Sequence, residues 1–360
     1  MKQKAWSDPL GHGAGAATPS SPGFRDESRF RLIGYASLLI LAAVLVSVPV
    51  ARADDGHADA PAHAEGAALL SHIQDAAQHQ NYVGTFVYQE GAQMQSSRIT
   101  HLAEASGELE KLEILDGKIR EFIRHDDEVR CYIPDSKIVL VETDAKPDKF
   151  PALLTSPAPD IDEHYTITRG PIERVAGRNC TLISLEPRDT LRYGYRLWAD
   201  QETGLLLKAQ TVDEHGDVLE QVAFTDIRIG GRIEKAKLRP SATSTDGWRT
   251  ETYSSEPAEL KAQGWSLGVH LPGFHEIREI KRTFGSGREV GQIVISDGLA
   301  AISIFIEAAG APGQTEGDAQ KGPINIVSKR YGNYWLTIVG EAPRETIHKV
   351  ADSVEFNPPK

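Results

Sequence analysis

The feature that most constrains this fold is a long series of short alternating segments between residues 82 and 229. In residues 82–88, Val83, Thr85 and Val87 alternate with larger side chains and glycine, and a period of two is typical of a β-strand. The further segments of this kind are SSRITHL, ELEKLEIL, KIREFIR, EVRCYI, KIVLVE, HYTIT, NCTLISLE, YRLWAD, LLLKAQTV and VLEQVAFTDIRI. About ten short strands predict a large antiparallel sheet, which must curl or be covered because open edges invite aggregation.

A helix and short turns accompany these strands. From Ala67, apolar residues recur at helical spacing and predict one short helix ahead of the sheet. Asp116-Gly117 separates two strand segments and predicts a type I′ hairpin, because both central positions of that turn need a positive φ. Residues 67–240 are therefore predicted to form one mainly β domain.

A second, smaller unit is predicted over residues 265–356. Residues 241–264 are polar and aperiodic, which is typical of a linker. The strand segments that follow are HEIREIKRTF, EVGQIVIS, LAAISIFIE, INIVSKR and YWLTIVG. Asp297-Gly298 predicts a hairpin, and helical spacing after Pro343 predicts a final helix. This unit is expected to be a small α+β domain.

Residues 1–53 have the pattern of a long leader with a secretory signal peptide. Arg29 and Arg31 precede an uncharged run over residues 32–50, and an A-x-A sequence ends at Ala53. A positive flank, an apolar core and this ending predict export and cleavage after Ala53. The alternative is an uncleaved anchor, because the run approaches the ~20 residues that span a bilayer. We expect a periplasmic protein.

Charge and motifs exclude several function classes. The formal net charge is −12, and nucleic-acid binding is not expected because phosphate contacts need positive charge. The sequence contains no H-E-x-x-H, G-x-S-x-G, P-loop or G-x-G-x-x-G motif. We therefore predict no catalytic residue, no cofactor and no metal. Arg188, Asp189 and Arg192 are interpreted as an ion-paired loop, with an anion site as the alternative.

Two cysteines are present, Cys131 and Cys180. Each lies in an apolar strand segment of a chain predicted to enter an oxidising compartment, which favours a disulfide between them. Closing the ~50-residue loop adds about 4 kcal/mol in the chain-entropy model. The alternative is two buried free thiols.

Basic residues in the second unit suggest a docking surface. From Trp265 to Lys360 ten basic residues nearly balance eleven acidic ones, so most of the negative charge lies in the first unit. An acidic peptide or polyanion is therefore expected to dock on the second unit. The alternative is an ordinary solvated face. The predicted partner-binding residues are Arg278, Lys281, Arg282, Ser296, Asp297, Gly298, Lys329 and Arg330.

Several segments resemble the MucB/RseB family of periplasmic regulators. They are NYVGTFVYQEG (81–91), LDGKIREFIR (115–124), EVRCYIPDSK (128–137), FPALL (150–154), RVAGRNCTLISLEPRDTLRYGYRLWADQETGLLLKAQ (174–210), LPGF (271–274), SDGLAAISIFIE (296–307) and YWLTIVGEAPRETI (334–347). The resemblance covers roughly residues 67–356, and EPRDTLRYGYRLWAD is long and unusual enough to make chance a poor explanation. The long leader departs from the family pattern.

The resemblance implies both a fold and a function. The first domain is expected to be a curved antiparallel half-barrel with helix cover, similar to lipoprotein carriers of the Lol type. Family members bind the periplasmic part of a transmembrane anti-sigma factor and shield it from a stress-activated protease. A lipid or lipopolysaccharide signal releases that grip and frees an extracytoplasmic-function sigma factor. We expect a negative regulator of this kind.

Aromatic residues of the first domain are candidates for a lipid groove, since a curled sheet with an apolar face accepts acyl chains. They are Tyr82, Phe86, Phe122 and Trp198. The alternative is that they fill a dry core, which is the usual place of large aromatic side chains.

Two other function classes compete with the regulator. A lipid or lipoprotein carrier would use the same half-barrel, but it needs only the first domain. An envelope hydrolase would need a nucleophile and a base close together. Exposed sheet edges also favour self-association into a homo-oligomer.

Overall fold

The computed structural model describes residues 60–104, 107–143, 161–283 and 288–358. The predicted signal peptide lies outside these residues. Within the described ranges, no helix combines the length and the apolar character needed to cross a membrane.

Three α-helices, two short 3-10 helices and twenty strands make up the regular structure of the described residues. The helices are α1 Ala60–His79, α2 Ile161–His164 and α3 Arg344–Ser353. The first twelve strands are β1 Tyr82–Glu90, β2 Gln93–Glu104, β3 Gly107–Ile114, β4 Arg120–His125, β5 Glu128–Ile133, β6 Ile138–Glu142, β7 Tyr165–Val175, β8 Arg178–Pro187, β9 Gly194–Asp200, β10 Leu206–Val212, β11 Val218–Ile229 and β12 Arg249–Pro257. The others are β13 Trp265–Leu267, β14 His275–Thr283, β15 Glu289–Ser296, β16 Ala301–Ala308, β17 Gly317–Lys321, β18 Ile324–Tyr331, β19 Tyr334–Gly340 and β20 Val354–Phe356.

The first sheet is one long antiparallel array. Its strand order is β7-β8-β9-β10-β11-β1-β2-β3-β4-β5-β6, and β12 adds to β6 in parallel. Every strand segment predicted between residues 82 and 229 is present, because alternation of apolar and polar residues fits a sheet with one well-buried face. The prediction of a mainly β fold with a large open sheet and few helices is confirmed.

Helix α1 covers part of one face of this sheet. Leu70 and Ile73 pack with Ile183, Tyr195 and other apolar residues of β7–β10, while the next turn of the helix packs on β1, β2 and β11. The helix begins at Ala60, seven residues before the position predicted from its apolar spacing. Burying this apolar stripe is what stabilises a helix of moderate intrinsic amphipathicity.

The segment 241–264 is more ordered than its composition predicts. Within it, β12 pairs in parallel with β6 over Arg249–Tyr253 and antiparallel with β14 over Ser254–Pro257. The expectation of an aperiodic linker is therefore wrong for these residues. Polar edge strands lack an apolar alternation, so the sequence pattern gave no sign of β12.

The second sheet has the strand order β12-β14-β15-β16-β19-β18-β17. Its core contains Ile302, Ile304, Leu336 and Ile338, all fully buried, against Ile347 of α3 and its neighbours. Two short strands, β13 and β20, pair separately. Strand β17 is fully exposed, and its sequence GDAQK has no apolar alternation.

The hairpin between β3 and β4 is present, but its predicted turn type is wrong. Gly117 has a φ of 73°, whereas Asp116 is not among the residues with positive φ. Five residues separate Ile114 from Arg120, and the Asp116 carboxylate accepts a hydrogen bond from the Ser96 N–H at 2.5 Å. A longer loop satisfies the chain reversal without a type I′ turn.

Gly84 lies where β1 and β11 approach closely. A Cβ there would come within 2.7 Å of the Asp226 carbonyl oxygen and 2.7 Å of the Phe224 ring. We expect Gly84→Val to lower the free energy of unfolding by about 1–3 kcal/mol, because overpacking displaces backbone and ring together. Urea unfolding measures this. Thr85→Val, at the next position on the other face, is the control, and an equal loss in both variants would contradict the steric argument.

Candidate functional site

One face of the first sheet carries a row of apolar side chains. Within the described residues, several of these side chains are only half-buried. Strand register aligns Ile99 with Leu112, Leu112 with Phe122, Phe122 with Cys131, and Cys131 with Leu140. Directly paired residues point to the same face. The row is buried at Ile99 beneath α1 and half-buried at Leu112, Phe122 and Leu140. We call these five residues the apolar row.

The opposite face of the same strands is covered by the chain that follows β11. Ile233 and Leu238 pack on Leu102 and Leu109, and Trp248 packs beside Tyr132. Further contacts are polar. They join Lys111 Nζ to Glu121 Oε1 at 3.3 Å and to Ser241 Oγ at 3.1 Å, and the Ser241 N–H to Glu121 Oε2 at 2.8 Å. Among the residues that the structure describes, the apolar row therefore lies on the less covered face of β3–β6.

A second row of residues, charged at three of its four positions, borders the apolar row and leads to the second sheet, and we call it the charged row. Register aligns Glu110 with Arg124, Arg124 with Val129, and Val129 with Glu142. At the end of this row, Arg282 Nη1 donates to Glu142 Oε1 at 2.9 Å. An amphiphile whose chain lies on the apolar row would thus meet charged side chains along one side.

The two sheets are joined by the tip of the β15–β16 hairpin. Leu299 is 1 % exposed and packs in the apolar cluster of the first sheet with Leu70 and Tyr165. Asp297 is buried beside it and accepts the N–H groups of Leu299 at 3.0 Å and Ala300 at 2.7 Å. The Asp297 carboxylate therefore holds the β15–β16 turn in shape by hydrogen bonds within the turn itself.

Arg192 is the partner of that hairpin tip. Its Nη1 donates to Asp297 Oδ2 at 2.8 Å, and both side chains have no exposed surface. Tyr165 donates to the same oxygen at 3.1 Å. Burial raises the pKa of Tyr165 well above its usual value, with the Asp297 charge adding to the effect, so its hydroxyl stays a donor. The guanidinium also lies 5.0 Å from the Phe274 ring centroid and donates to the Pro272 carbonyl.

The predicted ion-paired loop is thus present and has a larger role than its sequence suggested. Asp189 Oδ1 accepts from Arg192 Nε at 3.1 Å, as the ion-pair interpretation requires. The sequence did not indicate that Arg192 reaches across to Asp297, 105 residues away. The available signal was an arginine within the mostly apolar segment LRYGY (191–195), since an unpaired charge that becomes buried there would be costly.

The predicted partner-binding residues do not form one patch. Ser296, Asp297 and Gly298 belong to the hairpin, where Ser296 and Asp297 are buried; in this arrangement they meet the first sheet, which corrects the expectation of an exposed docking hairpin. Arg278, Lys281 and Arg282 lie on β14, and Lys329 and Arg330 on β18, with three strands between.

Most of these basic side chains have acidic partners. Lys281 pairs with Glu256 at 2.8 Å and Lys329 with Asp352 at 3.1 Å. Arg282 is committed to Glu142 of the first sheet. Most of these basic side chains are therefore already paired, within the second sheet or across to the first.

Three of the four predicted groove aromatics lie in the core. Tyr82, Phe86 and Trp198 belong to the cluster beneath α1, with 1 %, 6 % and 4 % exposure. Trp198 donates to Glu173 at 2.8 Å, and Tyr82 stacks on His101 with ring centroids 4.8 Å apart. The structure favours the dry-core alternative for these three. Phe122 is half-buried in the apolar row, and its role in a lipid groove stays a prediction.

Both cysteines are free and buried, so the predicted disulfide is absent from the structure. Cys131 lies on β5 and Cys180 on β8, which are not neighbours in the sheet. Burial raises the pKa of each thiol to about 11. The prediction failed because two apolar strand segments that each carry a cysteine need not become neighbours in the sheet.

Comparison with known proteins gives one family. Residues 65–242 match the MucB/RseB N-terminal domain, and residues 259–355 match the MucB/RseB C-terminal domain. The Pseudomonas aeruginosa "Sigma factor AlgU regulatory protein MucB" is 31% identical over 333 residues, which cover 88% of this chain and 96% of that protein. The Escherichia coli K12 "Sigma-E factor regulatory protein RseB" is 26% identical, with 83% and 93% covered.

Solved structures agree with these relatives. A crystal structure of MucB in complex with MucA(peri) superposes with a TM-score of 0.63 at 26% identity, and it covers 82% of this chain and 100% of that chain. The complex structure of Pseudomonas aeruginosa MucA/MucB gives a TM-score of 0.64 at 26% identity, with the same coverage. Both sheets of the described chain are therefore included in the similarity.

Removing the buried carboxylate should cost far more than removing a surface charge. We expect Asp297→Ala to lower the free energy of unfolding by about 3–5 kcal/mol, because Arg192 is left buried without its partner. Lys329→Ala, which removes a surface ion pair, should change it by about 0–1 kcal/mol. Denaturant unfolding of both variants measures the difference, and similar losses would refute the buried-pair account.

The state of the cysteines is open to direct titration. Two thiols per chain should react with a chromogenic disulfide reagent after unfolding in denaturant, and neither should react in the native protein, because both are buried with raised pKa values. Finding no thiol in the unfolded, unreduced protein would restore the predicted disulfide.

Proposed function

This chain belongs to the MucB/RseB family, and on that premise we propose that it is a periplasmic negative regulator of an extracytoplasmic-function sigma factor. It binds the periplasmic part of a transmembrane anti-sigma factor and shields it from regulated proteolysis. The observation that carries the proposal is similarity over both sheets to MucB, whose solved structures include complexes with MucA. A relationship that spans both units supports a shared mode of partner binding more strongly than one over a single sheet.

We further propose that a lipid or lipopolysaccharide weakens this grip by binding at the apolar row. Half-buried Leu112, Phe122 and Leu140 offer a strip for an acyl chain, since burying it removes apolar surface from water. The bordering charged row ends at Arg282, which already touches Glu142 of the first sheet at 2.9 Å. A ligand here would therefore act next to the contact between the sheets, and differential binding to two arrangements is what linkage requires.

For the partner surface, Lys329 and Arg330 on β18 remain our candidates. Arg330 is exposed and Lys329 half-buried, and acidic segments of a partner would compete with Asp352 for the Lys329 ammonium. Arg282 is a poor test residue, because charge reversal there would disturb the contact between the sheets. Self-association through exposed sheet edges also stays a prediction.

A periplasmic lipid or lipoprotein carrier is the second candidate. The apolar row is the observation that favours it, because a carrier needs only such a strip on an open sheet. A carrier would bind lipid without protecting an anti-sigma factor, so one assay separates the two functions.

The test follows cleavage of the periplasmic segment of the cognate anti-sigma factor by the site-one protease. We expect this protein to slow cleavage and added lipopolysaccharide to restore it. Phe122→Ser should still protect but should need roughly tenfold more lipopolysaccharide for release, the loss expected from about 1.4 kcal/mol of apolar contact.

Phe305→Ser is the matched control. Phe305 is also a half-buried aromatic residue on a strand, but it lies on β16 in the second sheet. Its release curve should coincide with that of the unaltered protein. Absence of protection would exclude the regulator and leave the carrier; equal shifts in both variants would exclude the apolar row as the ligand site.

A further inference from the structure

A second polar contact between the sheets is built from carboxyl groups. Glu90 on β1 and Glu220 on β11 are directly opposite in register, an arrangement of like charges that destabilises a strand pair. The Tyr88 hydroxyl lies between them, donating to Glu220 Oε2 at 2.8 Å and 3.4 Å from Glu90 Oε2. Thr211 of β10 also donates to Glu220, at 3.1 Å.

The second sheet closes over this pair. Lys321, at the end of β17, places Nζ 3.4 Å from Glu90 Oε2, and Gly322 sits so close that a Cβ there would meet the Glu90 side chain at 2.9 Å. Asn325 donates to the hydroxyl of Tyr193, the residue before β9, at 3.1 Å and to the Ala342 carbonyl at 2.9 Å. Glu341 is the residue before Ala342, and its carboxyl group interacts with the charge of Glu220.

The charged and titratable groups that face this contact come from several strands. They are Tyr88 and Glu90 of β1, Tyr195 of β9, Glu220 of β11, Lys321 of β17 and Glu341 after β19. The buried Tyr195 hydroxyl has no hydrogen-bond partner within the described residues. The Lys321 ammonium group lies beside Glu90, whereas Glu220 faces Glu90 and interacts with the charge of Glu341. A proton is the simplest way to reduce the repulsion among these carboxyl groups.

We infer that the junction between the two sheets is proton-linked, with the closed arrangement taking up a proton on the Glu220 and Glu341 carboxyl groups, next to Glu90. Burial, with the nearby Glu220 charge, raises the pKa of Glu341, and burial likewise raises that of Glu220. In a separated or unfolded chain these groups return to ordinary carboxyl values.

The sign of the effect follows from that difference. A carboxyl group with a raised pKa in the closed state contributes its full stability below its ordinary pKa and loses it as pH rises through the raised value. Mild acid therefore tightens the junction, and a shift to alkaline pH weakens it. This linkage concerns the protein alone and does not depend on the proposed partner or ligand.

The experiment is calorimetric unfolding of the unaltered protein and of Glu341→Gln between pH 5.5 and 9. The glutamine keeps the shape of a protonated carboxyl group and cannot ionise. The melting temperature of the unaltered protein should fall from near-neutral to alkaline pH, and that of Glu341→Gln should fall distinctly less. Linkage to one proton limits the change in the equilibrium constant to about tenfold per pH unit.

Two further variants make the outcome decisive. Glu220→Gln should reduce the alkaline loss in the same direction as Glu341→Gln, and it replaces that variant if Glu341→Gln does not fold. Glu355→Gln, at an exposed carboxyl group of the same unit, should behave as the unaltered protein.

Small-angle scattering at pH 6 and pH 9 provides the junction-specific readout. The larger radius of gyration is expected at pH 9, and only where Glu341 and Glu220 are intact. Identical pH profiles in the unaltered protein and both glutamine variants, or an unchanged radius in the unaltered protein, would overturn the inference.

Discussion

The buried ion pair between Arg192 and Asp297 is the contact on which the arrangement of the two sheets depends. Neither side chain has exposed surface, so each charge would be strongly unfavourable without the other. The pair stands among further donors: Tyr165 and two backbone N–H groups satisfy the same carboxylate. Leu299 adds apolar burial one step along the loop. Polar specificity and apolar area therefore meet at a single hairpin tip.

Around this central contact the junction is made of ion pairs and carboxyl groups whose charge depends on their surroundings. Arg282 with Glu142 lies where β14 approaches β6, and the carboxyl groups near Tyr88 lie beside the β17–β18 hairpin. Strand β12 continues from one sheet into the other through backbone hydrogen bonds. The buried ion pair thus forms the centre of the junction, and weaker polar contacts surround it. A ligand or a proton that binds at such contacts shifts the equilibrium between two arrangements of the sheets by about a few kcal/mol.

The open face of the first sheet has a different character. Its apolar row is continuous across β2–β6, yet only the Ile99 end is covered by α1. The polar segment after β11 covers the opposite face instead, through Ile233 and Leu238. One face is thus closed by the chain itself, and the other keeps half-buried apolar side chains beside the junction. This asymmetry relates the lipid proposal to the arrangement of the two sheets.

Much of the fold followed from local pattern. Period-two alternation predicted the strands between Tyr82 and Ile229, and helical spacing predicted α1 and α3, because each pattern reports directly which face is buried. Resemblance in the segment EPRDTLRYGYRLWAD indicated the family, and the family models and relatives confirm it. The polar strands β12 and β17 were not predicted, because an exposed edge strand needs no alternation of apolar residues.

The candidate sites were harder to predict, since they depend on which strands become neighbours. Tyr82, Phe86 and Trp198 look alike in sequence to Phe122, but packing under α1 buries the first three and leaves Phe122 half-open. Cys131 and Cys180 sit in similar strands that the sheet order separates. The sequence placed Asp297 in a hairpin turn, and it gave no sign that Arg192, 105 residues earlier, donates a hydrogen bond to it. Sequence alone determined the period of each element and therefore its type; only the tertiary structure decided which charges and apolar faces meet, because those contacts join residues that local pattern does not relate.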